Sequence, residues 1–295
     1  MSMTKQEIIK KVTDAIDDMA TKVEFRNSRN QHLYVNVETG EWLQGVSTVS
    51  SIVPKDWLAA WGAKEAVRAL GYSDYSGDTA LAEEMLLKIK NCESVEQYLA
   101  ILKEAKGGAS RKSKKALVDG KAGHAWLEDY VKAKIENTSL PELPKTESLL
   151  ERPIHQFLKW AHDNVEYWIA SEAKICHPGK SYAGTLDAIA MLKGNRLSLV
   201  DFKFASHIGE DYYLQTAGYA AAFEPYGILF DSRMILRLPK TLEQDEWNPK
   251  TFSYNKVPNN LQAHEVPTAY EVDRDVFFAC LPVKRWINYV EKMNK

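Results

Sequence analysis

Two strand-like runs joined by a turn constrain the fold of this chain more than any other segment. The stretch YAGTLDAIAMLKGNRLSLVDFKFAS, residues 182–206, has apolar runs on both sides of LKGNR, which is typical of a hairpin turn. Asp187 lies five residues before Leu192, and Asp201 lies five residues after Arg196. This spacing predicts that the two carboxylates lie near each other across an antiparallel ladder.

The charged end of the second run has two interpretations. A strand places Asp201 and Lys203 on one face and Phe202 on the other, and uncompensated buried charge is costly. A structural ion pair is one explanation, since the chain contains four acid-x-lysine triplets in all. A metal site is the other, because close carboxylates repel unless a cation or proton joins them, and their oxygens suit Mg²⁺ or Mn²⁺. Lys203 would then orient water or neutralise developing charge.

Two predicted helices flank this hairpin along the chain. GHAWLEDY places His124 and Glu128 four residues apart, and LQTAGYAAAF places Gln215 and Tyr219 four residues apart, so each pair shares one helix face. Ordinary helix packing is the simpler interpretation of either pair taken alone. Gln215 and Tyr219 could instead hydrogen-bond a DNA phosphate or hold the lysine.

The order of periodic segments predicts a mixed α/β fold. The expected elements are helices at 4–20 and 56–70, short strands or a hairpin within 22–44, two helices within 77–105, helices near 120–136 and 148–164, strands near 166–176, 181–192 and 196–204, a helix within 209–227, a strand within 228–240 and a helix near 274–293. A helical first part followed by helix, three strands, helix, strand and helix indicates a mixed sheet flanked by helices.

Charge and cysteine content exclude several classes of protein. The 295 residues carry a formal net charge of -2, so any nucleic-acid contact needs a local basic patch. One such patch consists of Arg111, Lys112, Lys114, Lys115 and Lys121. Three scattered cysteines cannot supply a four-cysteine iron–sulfur cluster, so no such cluster is expected. They are typical of a reduced, cytoplasmic protein.

Targeting to a membrane is not expected. The N-terminal MSMTKQEIIKKVTDAIDDMA is amphipathic and charged, unlike a secretory signal. Since no apolar run of the chain is long enough to cross a bilayer, we expect no membrane association and a cytoplasmic location.

The motifs GKAGHAWLE, SEAKI, GTLD, VDFK and QTAGY, in this order over about residues 120–225, resemble those of the PD-(D/E)XK nuclease superfamily. They are most similar to the branch with the RecB-type nuclease domain, Cas4 and the mitochondrial genome maintenance exonuclease. The resemblance implies a restriction-endonuclease-like core at residues 116–295, with a central mixed sheet flanked by helices. Residues 1–115 would form a mainly helical region that contains a short β-hairpin, and this region would thread DNA. The segment GVSTVSSIVPK within it resembles phage-encoded members.

The resemblance also implies a role for each matched residue. His124, Asp187 and Asp201 would ligate Mg²⁺ or Mn²⁺, together with the backbone carbonyl of Phe202, and Lys203 would be the catalytic lysine. Leu186 stands where many relatives have a proline, a departure that this branch often allows.

Further acids and polar residues receive roles in the same way. Glu172 would be an additional catalytic acid, either outside the ligand set or serving a second metal, and Glu128 would lie just outside the ligands or be a structural partner. Gln215 and Tyr219 would belong to the helix that contacts DNA, and the basic patch would contact phosphates.

The expected activity is metal-dependent hydrolysis of DNA phosphodiester bonds. An exonuclease that acts on ends or single strands in replication, recombination or repair is the first expectation, in the host cytoplasm if the chain is phage-encoded. The alternatives are a structure- or site-specific endonuclease of the resolvase or restriction type, a non-catalytic DNA-binding recombination factor on the same fold, and a structural protein whose acids form ion pairs. DNA is the expected partner, and no protein partner is identified.

Overall fold

The chain folds around a mixed β-sheet. The computed structural model describes residues 3–28, 31–74, 79–248 and 253–294. Its helices are α1 (Lys5–Lys22), α2 (Val46–Ser50), α3 (Trp57–Arg68), α4 (Ala80–Lys90), α5 (Val95–Lys106), α6 (Gly108–Glu136), α7 (Glu151–Asn164), α8 (Glu210–Ala221) and α9 (Tyr270–Met293). Its strands are β1 (Val23–Ser28), β2 (Gln31–Asn36), β3 (Trp42–Gly45), β4 (Val165–Cys176), β5 (Tyr182–Leu192), β6 (Arg196–Lys203), β7 (Ser232–Arg237), β8 (Glu243–Asn248), β9 (Ser253–Pro258) and β10 (Gln262–Glu265).

One compact unit contains the large sheet. It comprises Met1–Val53, Gly123–Lys240 and Asn260–Lys295. The strand order is β1-β2-β3-β5-β6-β7-β10, and β4 pairs with β5 beside this path. The pairs β5–β6 and β4–β5 are antiparallel, whereas β6–β7 and β3–β5 are parallel. The predicted class, a mixed sheet flanked by helices, is therefore confirmed.

Two apolar clusters cover the two faces of this sheet. The first contains Val12 of α1 and Phe277 of α9 with Leu199 of β6, and the second contains Phe157 of α7 with Val200 of β6. Leu199 and Val200 are neighbours in β6, so their side chains point to opposite faces of the sheet. The two clusters therefore lie on opposite sides of the sheet.

The second compact unit comprises Pro54–Ala122 and Thr241–Asn259. It contains α3, α4, α5, the first part of α6 and the antiparallel β8–β9 hairpin. Lys112 of α6 donates a 2.7 Å hydrogen bond to Glu65 of α3. The expected domain boundary after residue 115 falls inside α6, and the roles assigned to its two sides stay predictions.

The turn between β5 and β6 lies where the sequence predicts it. Leu192 pairs with Arg196, and the turn between them contains Gly194 at φ +83° and Asn195 at φ +61°. Glycine and asparagine are the residues that adopt this left-handed conformation at lowest cost. The hairpin of residues 182–203 is thus fixed by local sequence.

Other boundaries differ from the expectation. Helix α6 begins at Gly108 rather than near residue 120, because the alanine, lysine and arginine residues of the basic segment are good helix formers. The strand expected within 228–240 is limited to β7, and β8, β9 and β10 are additional. Strand β10 is mostly exposed and lacks the apolar alternation that identifies strands. Among the described residues, no helix is both long and apolar enough to cross a membrane.

Candidate metal centre

The β5–β6 hairpin brings the two predicted acids to neighbouring strands at the same level. Ala188 pairs with Val200, and the Phe202 backbone N–H donates a 2.6 Å hydrogen bond to Asp187 Oδ2. This bond ties the Asp187 carboxylate to the strand that carries Asp201. The arrangement agrees with the spacing of the acids about the turn.

Asp201 and Lys203 form a buried ion pair on one face of β6. Lys203 Nζ lies 2.6 Å from Asp201 Oδ2, and the two side chains are 14% and 1% exposed. Phe202 between them packs into the second apolar cluster on the opposite face. The two side chains thus form an ion pair beside the acids discussed next, and the metal-site interpretation of this triplet stays a prediction.

A second group of side chains gathers around Asp187. His124, Glu172 and Asp187 each offer one ligand atom, and these atoms all lie within 4.8 Å of one another. His124 Nδ1 lies 3.9 Å from Asp187 Oδ1. Helix α6 supplies the histidine, and β4 and β5 supply the acids. We refer to these three residues as the His124 cluster; it includes Glu172. Asp201 lies outside these three residues beside Lys203, and its predicted ligand role stays a prediction.

Irregular backbone directs both acids of the His124 cluster. Glu172 has φ +47°, a left-handed conformation that is strained for residues with a Cβ atom. Leu186 belongs to the first apolar cluster and Ala188 to the second, so the alternation of β5 breaks at Asp187 between them. Local irregularities in strands re-aim side chains near functional sites.

The charge on Glu172 is poorly compensated. Burial and the neighbouring carboxylates of Asp187 and Glu128 together raise the pKa of Glu172 to about 8, against the opposing effect of Lys132 and Lys203. In the absence of a cation, the Glu172 carboxyl therefore keeps a proton at neutral pH. A carboxyl group in this state is one that a bound cation would ionise.

Burial and charge act in opposite directions on His124 and Lys203. Burial lowers the pKa of His124, Asp187 opposes this effect, and Lys203 adds to it, so the imidazole is neutral and able to ligate a metal. Burial alone would lower the pKa of Lys203, but the carboxylates of Asp201 and Asp187 outweigh it and raise the pKa, so the ammonium keeps its charge.

The donor set fits a divalent cation. One neutral imidazole nitrogen and two carboxylates are ligands that Mn²⁺ accepts, and the carboxylate oxygens also suit Mg²⁺. Asp201 Oδ2 is buried. Within the described part of the chain, it makes an ion pair with the Lys203 ammonium at 2.6 Å and has no further hydrogen-bond partner. The acids around Asp187 thus have more negative charge than the side chains nearby neutralise.

Gln215 and Tyr219 lie inside the site. The Gln215 side-chain amide donates hydrogen bonds to Asp201 Oδ1 at 3.4 Å and to the Tyr219 hydroxyl at 2.9 Å. Tyr219 is only 5% exposed, and Gly184 makes room for its ring because a Cβ there would lie 2.8 Å from it. Of the two roles considered for this helix face, the contacts match the one that holds the Asp201–Lys203 pair, and contact of these residues with DNA stays a prediction.

Other predicted residues occupy varied positions. The Glu128 side chain forms an ion pair with Lys132, and its backbone carbonyl accepts a 3.4 Å hydrogen bond from Ser171. The predicted ligand role of the Phe202 carbonyl stays a prediction. In the basic patch, Arg111 donates to the Glu104 carbonyl oxygen, whereas the lysine side chains at 114, 115 and 121 are exposed. Contact of the patch with phosphates stays a prediction.

Three residues contribute to the site without having been predicted. The Lys203 ammonium lies 4.9 Å from the centre of the Tyr212 ring. The Phe204 ring packs edge-on against His124 with centroids 5.6 Å apart. Gly123 accommodates that ring, because a Cβ atom there would lie 2.3 Å from Phe204 Cζ. Gly123 adjoins His124 and Phe204 adjoins Lys203 in the sequence, but this proximity does not specify their contacts, and Tyr212 lies farther along the chain on α8.

Comparisons with known proteins add little to this geometry. No protein-family model matches the chain, and no curated protein matches it. Among solved structures, it is similar to an alkaline exonuclease from Laribacter hongkongensis, at 12% identity and a TM-score of 0.26, over 58% of this chain and 84% of that one. The complex of that exonuclease with dAMP gives 14% identity and a TM-score of 0.26 over the same shares. The function has therefore to be inferred from the side chains of the site.

Proposed function

We propose that this chain is a divalent-metal-dependent deoxyribonuclease. The observation that supports the proposal is the His124 cluster, whose half-buried acids lie beside a lysine that keeps its charge. The ordered nuclease-like motifs in the sequence supply the substrate class. Mg²⁺ or Mn²⁺ is the proposed metal, held by His124, Glu172 and Asp187, with Asp201 at the border of the site.

Each side chain has a task in phosphodiester hydrolysis. A bound divalent cation supplies Lewis-acid polarisation of the phosphate and activation of water. Lys203 donates hydrogen bonds to the phosphate oxygens, where negative charge increases in the transition state. Asp201 and the Tyr212 ring position the Lys203 ammonium, and the Gln215 amide in turn orients Asp201.

We further propose an exonuclease that acts on DNA ends or single strands in replication, recombination or repair. The exposed lysines at 114, 115 and 121 would attract the backbone. A site-specific endonuclease and a non-catalytic DNA-binding protein remain the competing functions. The intact His124 cluster and the Asp201–Lys203 pair favour an active enzyme over a binding protein.

Digestion of labelled DNA tests this proposal. End-labelled single-stranded and duplex DNA and closed circles are incubated with Mg²⁺, Mn²⁺ or a chelator, and Lys203→Ala is compared with wild type. Lys106→Ala is the matched control, because Lys106 ends another acid-x-lysine triplet, Glu104-Ala-Lys106, on the exposed surface of α5. We expect metal-dependent loss of linear DNA that Lys203→Ala abolishes and Lys106→Ala keeps. Cleavage of circles would exclude the exonuclease, and cleavage that survives both chelator and Lys203→Ala would exclude the assignment.

A further inference from the structure

Helix α6 carries three polar side chains in line as it passes the site. His124, Glu128 and Lys132 follow one another at intervals of four residues, so they share one face over about 12 Å of the helix. Glu128 and Lys132 form an ion pair, in which the lysine side chain is 47% exposed and the glutamate side chain is 32% exposed. This pair therefore continues the helix face that supplies the histidine of the His124 cluster.

The part of this face around Glu128 lies against β4. Ser171 Oγ donates a 3.4 Å hydrogen bond to the backbone carbonyl of Glu128, and the next residue, Glu172, belongs to the His124 cluster. Side chains on a helix lean toward its N-terminus, so the Lys132 chain extends from its own backbone toward Glu128, where the ion pair holds its end. The Lys132 ammonium therefore lies about one helix turn from His124 along the axis, beside β4.

Two ammonium groups oppose the raised pKa of Glu172. Lys132 has the larger effect on this pKa, and Lys203 has the smaller one. The pKa of Lys132 is itself raised, first by its hydrogen bond to Glu128 and then by the charges of Glu128 and Glu172, so its ammonium keeps its charge. Strand β5, which carries Asp187, pairs with β4 and with β6, the strand of Lys203. The acids of the His124 cluster therefore lie between two positive charges.

The acids around Glu172 offer a place for one metal ion. In the described ranges of the chain, His124, Glu172 and Asp187 are the one group of three potential ligands whose atoms lie this close together. Glu128 also acts on Glu172, but its carboxylate is held by Lys132. In phosphodiesterases with two metal ions, the pair of ions stabilises both the attacking and the leaving oxygen. An ammonium held beside Glu172 supplies a positive charge for one of these oxygens without a second ion.

We propose that Lys132 is a second catalytic cation of this site, which contacts the DNA phosphate from the β4 side as Lys203 contacts it from the β6 side. This role rests on the proposed deoxyribonuclease function. Hydrolysis joins a water oxygen to phosphorus and breaks the bond from phosphorus to the leaving oxygen, which ends as a hydroxyl group with a proton from that water. Lys132 keeps its own proton and donates a hydrogen bond to the leaving oxygen, so it stabilises the negative charge that develops there.

A second ion pair separates this role from ordinary stabilisation of a helix. Asp18 and Lys22 of α1 have the same order and spacing as Glu128 and Lys132, and the Lys22 side chain is 37% exposed. The Lys22 ammonium lies 5.9 Å from the centre of the Tyr226 ring. Exposed pairs at this spacing stabilise a helix only slightly. Lys22→Met is therefore the matched control for Lys132→Met, since each variant removes the lysine of one such pair.

DNA binding without cleavage tests the phosphate contact. Fluorescence anisotropy with chelator gives the Kd of a labelled oligonucleotide, single-stranded or duplex, over a series of salt concentrations. Lys132→Met should reduce the slope of log Kd against log salt by about 0.7 on a single strand or about 0.9 on a duplex, the value for one phosphate contact. Lys132→Arg, which keeps the charge, and Lys22→Met should keep the wild-type slope. Circular dichroism verifies that the variants fold.

A double variant excludes repulsion by the released glutamate as the cause of a weaker slope. Glu128→Gln/Lys132→Met removes both charges and should show the same decrease as Lys132→Met. A wild-type slope in either variant would overturn the phosphate contact. A wild type that binds no DNA would instead contradict the proposed function.

Single-turnover cleavage at saturating DNA and Mn²⁺ tests the catalytic role. Lys132→Met should lower the rate about 10²-fold, the lower end of the effect of removing one preorganised donor. Lys132→Arg should restore most of this loss, and Lys22→Met should keep the wild-type rate. Electron paramagnetic resonance of Mn²⁺ should show one tightly bound ion per wild-type chain. A wild-type rate in Lys132→Met, or two tightly bound ions, would overturn the role of Lys132, whereas a wild type without metal-dependent cleavage would contradict the proposed function.

Discussion

The same triplet pattern has different outcomes in β4 and β6, two strands that each pair with β5. Asp201-Phe-Lys203 on β6 is regular, and its charged ends form a buried ion pair with an N–O distance of 2.6 Å. Glu172-Ala-Lys174 on β4 has the same pattern, but Glu172 turns to His124 and Asp187, while exposed Lys174 lies 5.7 Å from the Phe25 ring centre. The difference arises at Glu172, where φ is +47°. Backbone conformation, and not the order of residue types, decides whether the acid and the lysine meet.

The two lysines should differ most in activity. Lys203→Gln should lower the DNA cleavage rate about 10²–10³-fold, the typical effect of removing one preorganised donor from a site where charge develops. Lys174→Gln should change the rate less than about threefold, within the range of an exposed contact. Single-turnover cleavage of end-labelled DNA at saturating Mn²⁺ measures both rates. Equal loss in the two variants would place the reacting phosphate outside the Asp201–Lys203 pair.

Loss of the acid in each triplet should affect stability in opposite directions. Asp201→Asn leaves the Lys203 ammonium buried without its counter-charge and should lower the free energy of unfolding by about 3 kcal/mol. Urea denaturation in the presence of chelator gives this value. The double variant Asp201→Asn/Lys203→Met serves as the control, since it removes both charges and should recover part of the loss. No recovery would mean that hydrogen bonding by Asp201, and not its charge, stabilises the fold.

The other acid destabilises the metal-free protein. The folded-state pKa of Glu172 is raised to about 8, so the folded chain holds a proton there that the unfolded chain releases above its ordinary pKa of 4.5. Stability is therefore highest below that ordinary pKa and falls as pH rises through the raised one. Glu172→Gln should remove this decrease and stabilise the chelator-treated protein by a few kcal/mol at pH 8. Denaturation curves at several pH values check it, and an unchanged pH dependence would assign the decrease to another group.

Most of the fold could be predicted because its signals are local. Short local patterns predict its main elements: the LKGNR turn, the apolar runs of β5 and β6, and the helices around His124 and Gln215. The spacing of Asp187 and Asp201 about the turn then follows from simple pairing. Short polar strand β10 has no such signal, because its pairing with β7 depends on partners distant in sequence.

The composition of the His124 cluster was only partly predictable. His124 and Asp187 were expected together with Asp201 as ligands, and Glu172 was expected as a catalytic acid either outside the ligand set or serving a second metal; the ligand role of Asp201 stays a prediction. A regular alternation of apolar and polar residues cannot reveal that the side chains of β4 and β5 switch from one face of the sheet to the other at Glu172 and Asp187. The residue type does not predict a positive φ at a glutamate, since glycine and asparagine are the residues that usually adopt that conformation.

The smallest predicted effect isolates the backbone difference between the two triplets. Glu172→Gly and Glu172→Ala both remove the acid, but only glycine relieves the cost of φ +47°, so the glycine variant should be more stable by about 1 kcal/mol. The same pair of substitutions at Lys174 is the control. Lys174 is exposed in β4 and is not among the positive-φ residues of the described chain, so there glycine should be the less stable of the two by about 0.5–1 kcal/mol. Chemical denaturation of the four variants with chelator measures both differences. If glycine is the more stable variant at position 172 and the less stable one at position 174, the backbone at Glu172 is strained in the orientation that directs its carboxylate. If the stability difference has the same sign at both positions, backbone strain is not the cause of the difference between the triplets.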